Sequence, residues 1–237
     1  MVKLWNALRD NFSFVLISVA IIAGLSLLSH FTERFLREKR MVSPTRRITL
    51  IGICAALAAV LHILDFPLMF LAPEFYKLDF SEVPVLLCGF YLGPSATVAC
   101  EGVKILLKLL IKGTSTAFVG DFANFVVGCS LVLPATVIYH LKKNRTTAIL
   151  ALASGTAAMT VFGSAFNAIY LLPKFSQLYG MPLDTIIAMG SSINTNIKNL
   201  TTFVLLSVAP LNLIKGALVS VLTLLLYKRI EKVLFSR

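Results

Sequence analysis

The sequence predicts an all-α polytopic membrane protein of seven helices, from three observations: its composition, the length of its apolar runs and the placement of its charges. Of 237 residues, 57% are hydrophobic and 14% charged, against about 25% charged in an ordinary soluble domain. So few charges cannot wet a soluble surface. With a mean hydropathy of +0.86, a soluble enzyme, a disordered chain and a nucleic-acid binder are excluded. The 22 Lys+Arg against 11 Asp+Glu give +11, and this excess falls between the apolar runs, where an anionic membrane surface accounts for it. Seven helices of about 20 residues need about 140 positions, which leaves little for a soluble domain.

The first run, residues 11–29, is uncharged, and residues 33–47 after it hold six basic and two acidic residues. A cleaved signal carries its positive charge on the N-terminal side. Here more of it follows the run, so a retained helix with its N-terminus outside is expected. Six segments follow: 48–64, 82–91, 95–111, 118–141, 146–172 and 211–233. Asp65 and Pro67 break the first of these, Gly93-Pro94 separates the short 82–91 from 95–111, and Pro173 is expected to end 146–172. The connector from Pro173 to about Thr195 is too polar to span and too long for a turn, which suits a cover. Residues 199–208 are apolar again, and either begin the last span or form an interfacial turn. The loops assigned to the cytoplasm carry a net +10 and the opposite loops a net of zero. That bias places the C-terminus in the cytoplasm. Residues 1–41 are thus an extra N-terminal helix with a basic linker, followed by a domain over 42–237.

Intramembrane charge is a functional candidate by default, because it is costly unless paired or facing water. Glu101, Lys104, Lys108, Asp121 and Lys215 lie at membrane depth. Glu101, Lys104 and Lys108 share one helix face, which suits an internal ion pair as well as a site. Lys108 and Asp121 lie near the outer surface, within snorkelling reach. Lys215 follows Asn212 by three residues, Asn124 follows Asp121 by three, and Asn167 is close to the outer end of its helix. Three asparagines and a lysine therefore reach similar depth from three helices, and amides offer the paired donors and acceptors that suit the edge of a flat heterocycle. The loop 73–84 interleaves Phe75, Tyr76 and Phe80 with Lys77 and Asp79, which fits a lid or an interfacial belt. Ser81 is placed to cap the next helix, with Glu82 in its first turn. Gly52 with Ala56, and Ala55 with Ala59, form two small-residue pairs that permit close helix approach, within the protein or to a partner.

Other chemistry is not indicated. Cys54, Cys88, Cys100 and Cys129 sit in apolar stretches without a CxxC, and read as packing residues. His30, His62 and His140 are scattered, so no metal site is expected. No phosphate loop, HExxH or GxSxG occurs. The expectation is a ligand-binding protein rather than an enzyme, and nothing in the sequence hydrolyses ATP. An intramembrane lipid-acting enzyme using Glu101 or Asp121 as a base lacks a nucleophile.

From about Ser43 the chain resembles the substrate-binding S components of energy-coupling factor (ECF) vitamin transporters, most closely the riboflavin-specific members. The resemblance rests on Leu78-Asp79-Phe80-Ser81 with Pro84, Gly93-Pro94, Lys104, and Ala123-Asn124-Phe125 with Gly128. It continues through Asn167 ahead of Leu171-Leu172-Pro173, Tyr179-Gly180 and Asn212-Leu213-Ile214-Lys215-Gly216. It implies a six-helix S-component bundle, here with one extra N-terminal transmembrane helix, and a vitamin pocket near the outer face. It implies that riboflavin, the transported ligand, is bound by Asn167, Asn212 and Lys215 with the loop of Lys77, Leu78, Asp79 and Phe80 beside it; Asn124 joins this set from its depth. It also implies that the helix of Gly52, Ala55, Ala56 and Ala59 docks on a transmembrane coupling protein working with two ATPases in the cell membrane. No cofactor, metal or nucleic acid is expected. Ile105 stands where the family often has Asn, and Lys108 where it usually has an uncharged polar residue, so a flavin analogue or a phosphorylated flavin is an alternative ligand; an S component for another vitamin, such as folate or a thiamin precursor, is the rival reading.

Overall fold

The computed structural model describes residues 12–36, 42–114, 116 and 118–234. Residues 1–10, expected outside the membrane, and most of the basic linker fall outside these. The elements run α1 (Phe12–Phe35), α2 (Pro44–Ile63), β1 (Phe66–Pro67), β2 (Lys77–Leu78), α3 (Glu82–Leu92), α4 (Pro94–Lys112), α5 (Val119–Leu141) and α6 (Arg145–Phe166). A π turn (Asn167–Leu171), α7 (Leu172–Tyr179), α8 (Leu183–Ser191), α9 (Leu200–Phe203), a second π turn (Val204–Val208) and α10 (Ala209–Leu234) complete them. The fold is an all-α membrane fold, and each of the seven expected segments falls on a helix.

Among the described residues, five helices are long and apolar enough to cross a membrane: Leu16–Phe35, Pro44–Ile63, Val119–Leu141, Arg145–Gln177 and Leu200–Arg229. The other two differ for physical reasons. At 11 residues, α3 is about 16 Å long, short of the roughly 30 Å hydrocarbon core. It is buried along nearly its whole length instead. Helix α4 has 19 residues but carries Glu101, Lys104 and Lys108 in its body. Gly93, at φ 97°, reverses the chain between them, a conformation glycine adopts without strain.

Two π turns correct the expected boundaries. Pro173 does not end its helix. Leu172 N–H reaches back to Asn167 O, and this wider ring sets Pro173 in the first turn of α7, where its missing N–H is tolerated. Residues 199–208 begin the last span, opened by a capping box in which Asn199 and Thr202 satisfy each other's backbone N–H.

The main core joins α2, α3, α4, α5, α6 and α10, and includes Phe90 stacked on Tyr139 at 4.1 Å between ring centres. A second cluster lies under the α2–α3 loop, where Ala72 and Tyr76 meet Leu172, Phe175, Ile186 and Phe203. Helix α1 rides outside α4 and α5, inserting Ile21 and Leu25 against Val98, Ile105 and Phe122, while Leu16, Val19, Leu27 and Phe31 stay exposed. Its far end is fastened by Arg47, which donates to both oxygens of Glu33, to Ser95 Oγ at 2.6 Å and to Leu92 O at 3.1 Å.

Candidate functional site

The site is assembled at the end of the bundle where α2 finishes and the loop 64–81 crosses. A two-residue antiparallel ladder, Phe66 with Leu78 and Pro67 with Lys77, folds that loop back on itself. Its middle is tied down at two points: Ser207 Oγ donates to Leu71 O at 2.8 Å, and Tyr76 OH donates to Asn167 Oδ1 at 2.7 Å. Burial raises the Tyr76 hydroxyl above its ordinary pKa, so it remains the donor. The loop aromatics are not an evenly exposed belt: Tyr76 faces inward toward Phe203, while Phe75 sits edge-on to Phe175. Both anchors rest on the π turns, a feature frequent at functional sites.

Asn167 and Asn212 meet at Gly163. Asn167 Nδ2 donates to Gly163 O at 2.7 Å, and a Cβ added at Gly163 would lie 2.7 Å from Asn212 Nδ2. The glycine is therefore what lets α6 and α10 come together here. Asn212 Nδ2 is buried and has no hydrogen-bond partner among the described residues, an unused donor that normally costs stability. Asn124, expected in the same group, is half-buried and donates to Gly120 O of its own helix at 3.1 Å.

One turn along α10, Lys215 enters a buried chain of charges. Its Nζ lies 3.0 Å from Asp79 Oδ2 and 3.2 Å from Glu82 Oε1. The same Glu82 oxygen is 3.4 Å from Lys104 Nζ, which is 2.5 Å from Glu101 Oε1. Asp79 also accepts from Ser81 N–H at 2.8 Å and faces His62 Nδ1 at 3.3 Å. Burial alone would raise the Asp79 carboxyl, but Lys215, His62 and Lys104 together hold it well below the usual carboxylate range. At Gly128 a Cβ would strike Glu101 Oε1 and come within 3.4 Å of Glu82 Oε1, so a glycine on α5 makes room for both acids.

Several expectations change in this geometry. Ser81 begins α3 without a side-chain cap bond; its hydroxyl donates to Glu82 Oε2 at 3.2 Å and accepts from Lys104 at 3.1 Å instead. The buried charges claim the hydroxyl that would otherwise cap the helix. Glu82, read as an outer first-turn charge, is 1% exposed, and its place between two lysines is not deducible from spacing along the chain. Lys108 leaves the expected trio and pairs with Asp121. His62, one of three scattered histidines in the sequence, is an Asp79 neighbour; its position one helical turn before the loop is the available signal. In the loop, Leu78 is buried, Phe80 half-buried beside Phe66 at 6.1 Å, and the partly exposed Lys77 pairs with Asp65 at 3.4 Å.

On α2 the two small-residue pairs separate. Gly52 and Ala56 are exposed, and nothing lies within 4 Å of a Cβ built on Gly52. Ala55 and Ala59 are buried in the bundle, because residues one position apart on a helix lie about 100° apart around it. Among the described residues no group of three or more His, Cys, Asp or Glu could hold a metal ion. The arrangement offers amide edges and an ammonium group beneath an aromatic loop, which is equipment for holding a polar planar molecule.

Residues 46–227 match the family model described as ECF transporter, substrate-specific component. The chain is similar to riboflavin transporter RibU of Staphylococcus aureus (strain TCH60), 36% identical over 198 residues that cover 84% of this chain and 97% of that one. It is similar also to riboflavin transporter FmnP of Bacillus subtilis (strain 168), 29% identical over 187 residues, covering 78% and 92%. A solved structure described as "Structure and mechanism of the S component of a bacterial ECF transporter" matches with a TM-score of 0.63 at 34% identity, over 82% of this chain and 100% of that one.

Proposed function

This chain belongs to the family of ECF transporter substrate-specific components, and on that premise we propose that it binds riboflavin beneath the loop 64–81 for import. The observation that carries the reading is the meeting of Asn167 and Asn212 at Gly163, with the unpartnered Asn212 amide one turn from Lys215. The unused Asn212 donor lies beside the Asn167 amide, which Tyr76 and Gly163 hold in place, and such amides suit the polar edge of an isoalloxazine ring. Tyr76, Leu78, Asp79 and Phe80 supply the wall from the loop, with Lys77 at its rim and Asn124 on the α5 side. Lys108 is engaged by Asp121, so its charge is not offered to a phosphate, which favours the unphosphorylated flavin.

Import requires energy that this chain does not generate, since the sequence contains no phosphate-binding loop. The reading assigns ATP hydrolysis to a partner complex of a transmembrane coupling protein and two ATPases, docked on the outward Gly52/Ala56 face of α2. The positive-inside bias places the basic loops in the cytoplasm, the riboflavin site outside and the N-terminus outside. Residues 1–41 are then an addition to a binding domain over 42–237. The test is a titration of the purified chain, following quenching of flavin fluorescence on binding. Saturable quenching by riboflavin, unaffected by excess folate or thiamin, supports the reading. Competition by either of those vitamins, or no quenching, contradicts it.

A further inference from the structure

The two carboxylates that hold Lys215 each have a second partner, and this redundancy has a use. Asp79 keeps Ser81 N–H at 2.8 Å and His62 at 3.3 Å when Lys215 is set aside. Glu82 keeps Lys104 at 3.4 Å and the Ser81 hydroxyl at 3.2 Å. All of these side chains are at least nine-tenths buried. A buried carboxylate stranded without a partner is strongly unfavourable, so Lys215 can turn toward a ligand only if Glu82 retains a cation.

Lys104 is that cation, but it is contested. It lies 2.5 Å from Glu101 and 3.4 Å from Glu82, and three carboxylates in the chain share two ammonium groups. Apart from this ion pair, neither Glu101 oxygen has a hydrogen bond among the described residues, so Lys104 is its nearest counter-charge. Resting on the assignment of Lys215 to the ligand, we propose that Lys104 is a positioning residue for Lys215: it takes over Glu82 as Lys215 swings to riboflavin, and Glu101 opposes that exchange by competing for Lys104.

The consequence is that two partners of one ion pair act on ligand affinity with opposite sign. Lys104→Gln leaves Glu82 with Lys215 as its remaining cation, and riboflavin binding weakens at least about tenfold. Glu101→Gln removes the competitor, lets Lys104 serve Glu82, and leaves binding equal to or tighter than wild type. A purely structural ion pair would weaken binding in both variants. Riboflavin fluorescence quenching is titrated in the purified full chain and in both variants, with folding checked by thermal denaturation. If Lys104→Gln does not fold, the sign of Glu101→Gln decides: equal or tighter binding supports the exchange, and binding more than about threefold weaker overturns it. Wild-type affinity in a folded Lys104→Gln also overturns it. These results remove the exchange alone, whereas a folded wild-type chain that quenches no riboflavin removes the ligand assignment beneath it.

Discussion

The two ends of the bundle both hold ion pairs among apolar helices, and they are built differently. At the basic end Arg47 spends its planar donor set on Glu33, Ser95 Oγ and Leu92 O. Such a fork is satisfied in one geometry and behaves as a fastener. At the other end Lys215 is shared by two carboxylates, and each of those has another partner in reach. Lysine is a point charge on a flexible stem, so the same atoms can be satisfied in more than one arrangement. The first pair holds an added helix in place; the second sits one turn from the unused Asn212 donor and can rearrange.

The largest expected effect comes from breaking the exchangeable end. Lys215→Ala leaves Asp79 and Glu82 buried with fewer counter-charges, costing about 3–5 kcal/mol of stability. It should also weaken riboflavin binding at least about tenfold, about 1.4 kcal/mol. Denaturation and quenching titrations measure the two effects separately. Asn212→Ala, which strands no charge, should give a comparable loss of binding with little loss of stability.

A smaller contrast lies on α2, between its inner and outer faces. Ala55→Leu forces extra methylenes into a filled core, at about 1–3 kcal/mol, and should lower thermal stability. Ala56→Leu meets no such packing and should leave stability and binding unchanged while abolishing ATP-driven uptake in vesicles with the partner complex. Normal uptake by Ala56→Leu would move the docking surface elsewhere.

Acid sharpens the comparison further. The Asp79 carboxyl is held well below its ordinary range in the folded chain, so its contribution to stability is complete above the unfolded carboxylate value of about 3.9 and is lost as pH falls below it. Asp79→Asn should flatten that acid limb in a stability–pH profile. The smallest effect belongs to the fastener. Glu33→Gln should cost about 1 kcal/mol or less, and removal of residues 1–41 should leave riboflavin affinity within about threefold, about 0.7 kcal/mol. Loss of binding in a folded truncated chain would erase the distinction between the two ends.

Helix positions were readable because apolar runs of membrane length and the Gly93-Pro94 break are local signals. Asn212 and Lys215 were readable because three residues on a helix guarantee a shared face. The continuation past Pro173 was not, since a π turn depends on packing at Asn167 rather than on the proline itself. The roles of Glu82, His62 and Lys104 are not local: they are set by which carboxylate meets which cation across four helices and a loop. Gly128 and Gly163 likewise show their purpose only when a Cβ is imagined against Glu101 or Asn212.

The loop, the two asparagines and Lys215 are proposed to form one riboflavin site. The most direct test is the absorption spectrum of the chain purified from cells grown with riboflavin, beside Asn212→Ala and Lys215→Ala purified in the same way. The account predicts flavin bands at about one flavin per wild-type chain, and bands greatly reduced in both folded variants. A colourless wild-type protein that also takes up no added riboflavin, or full flavin occupancy in both variants, would contradict it.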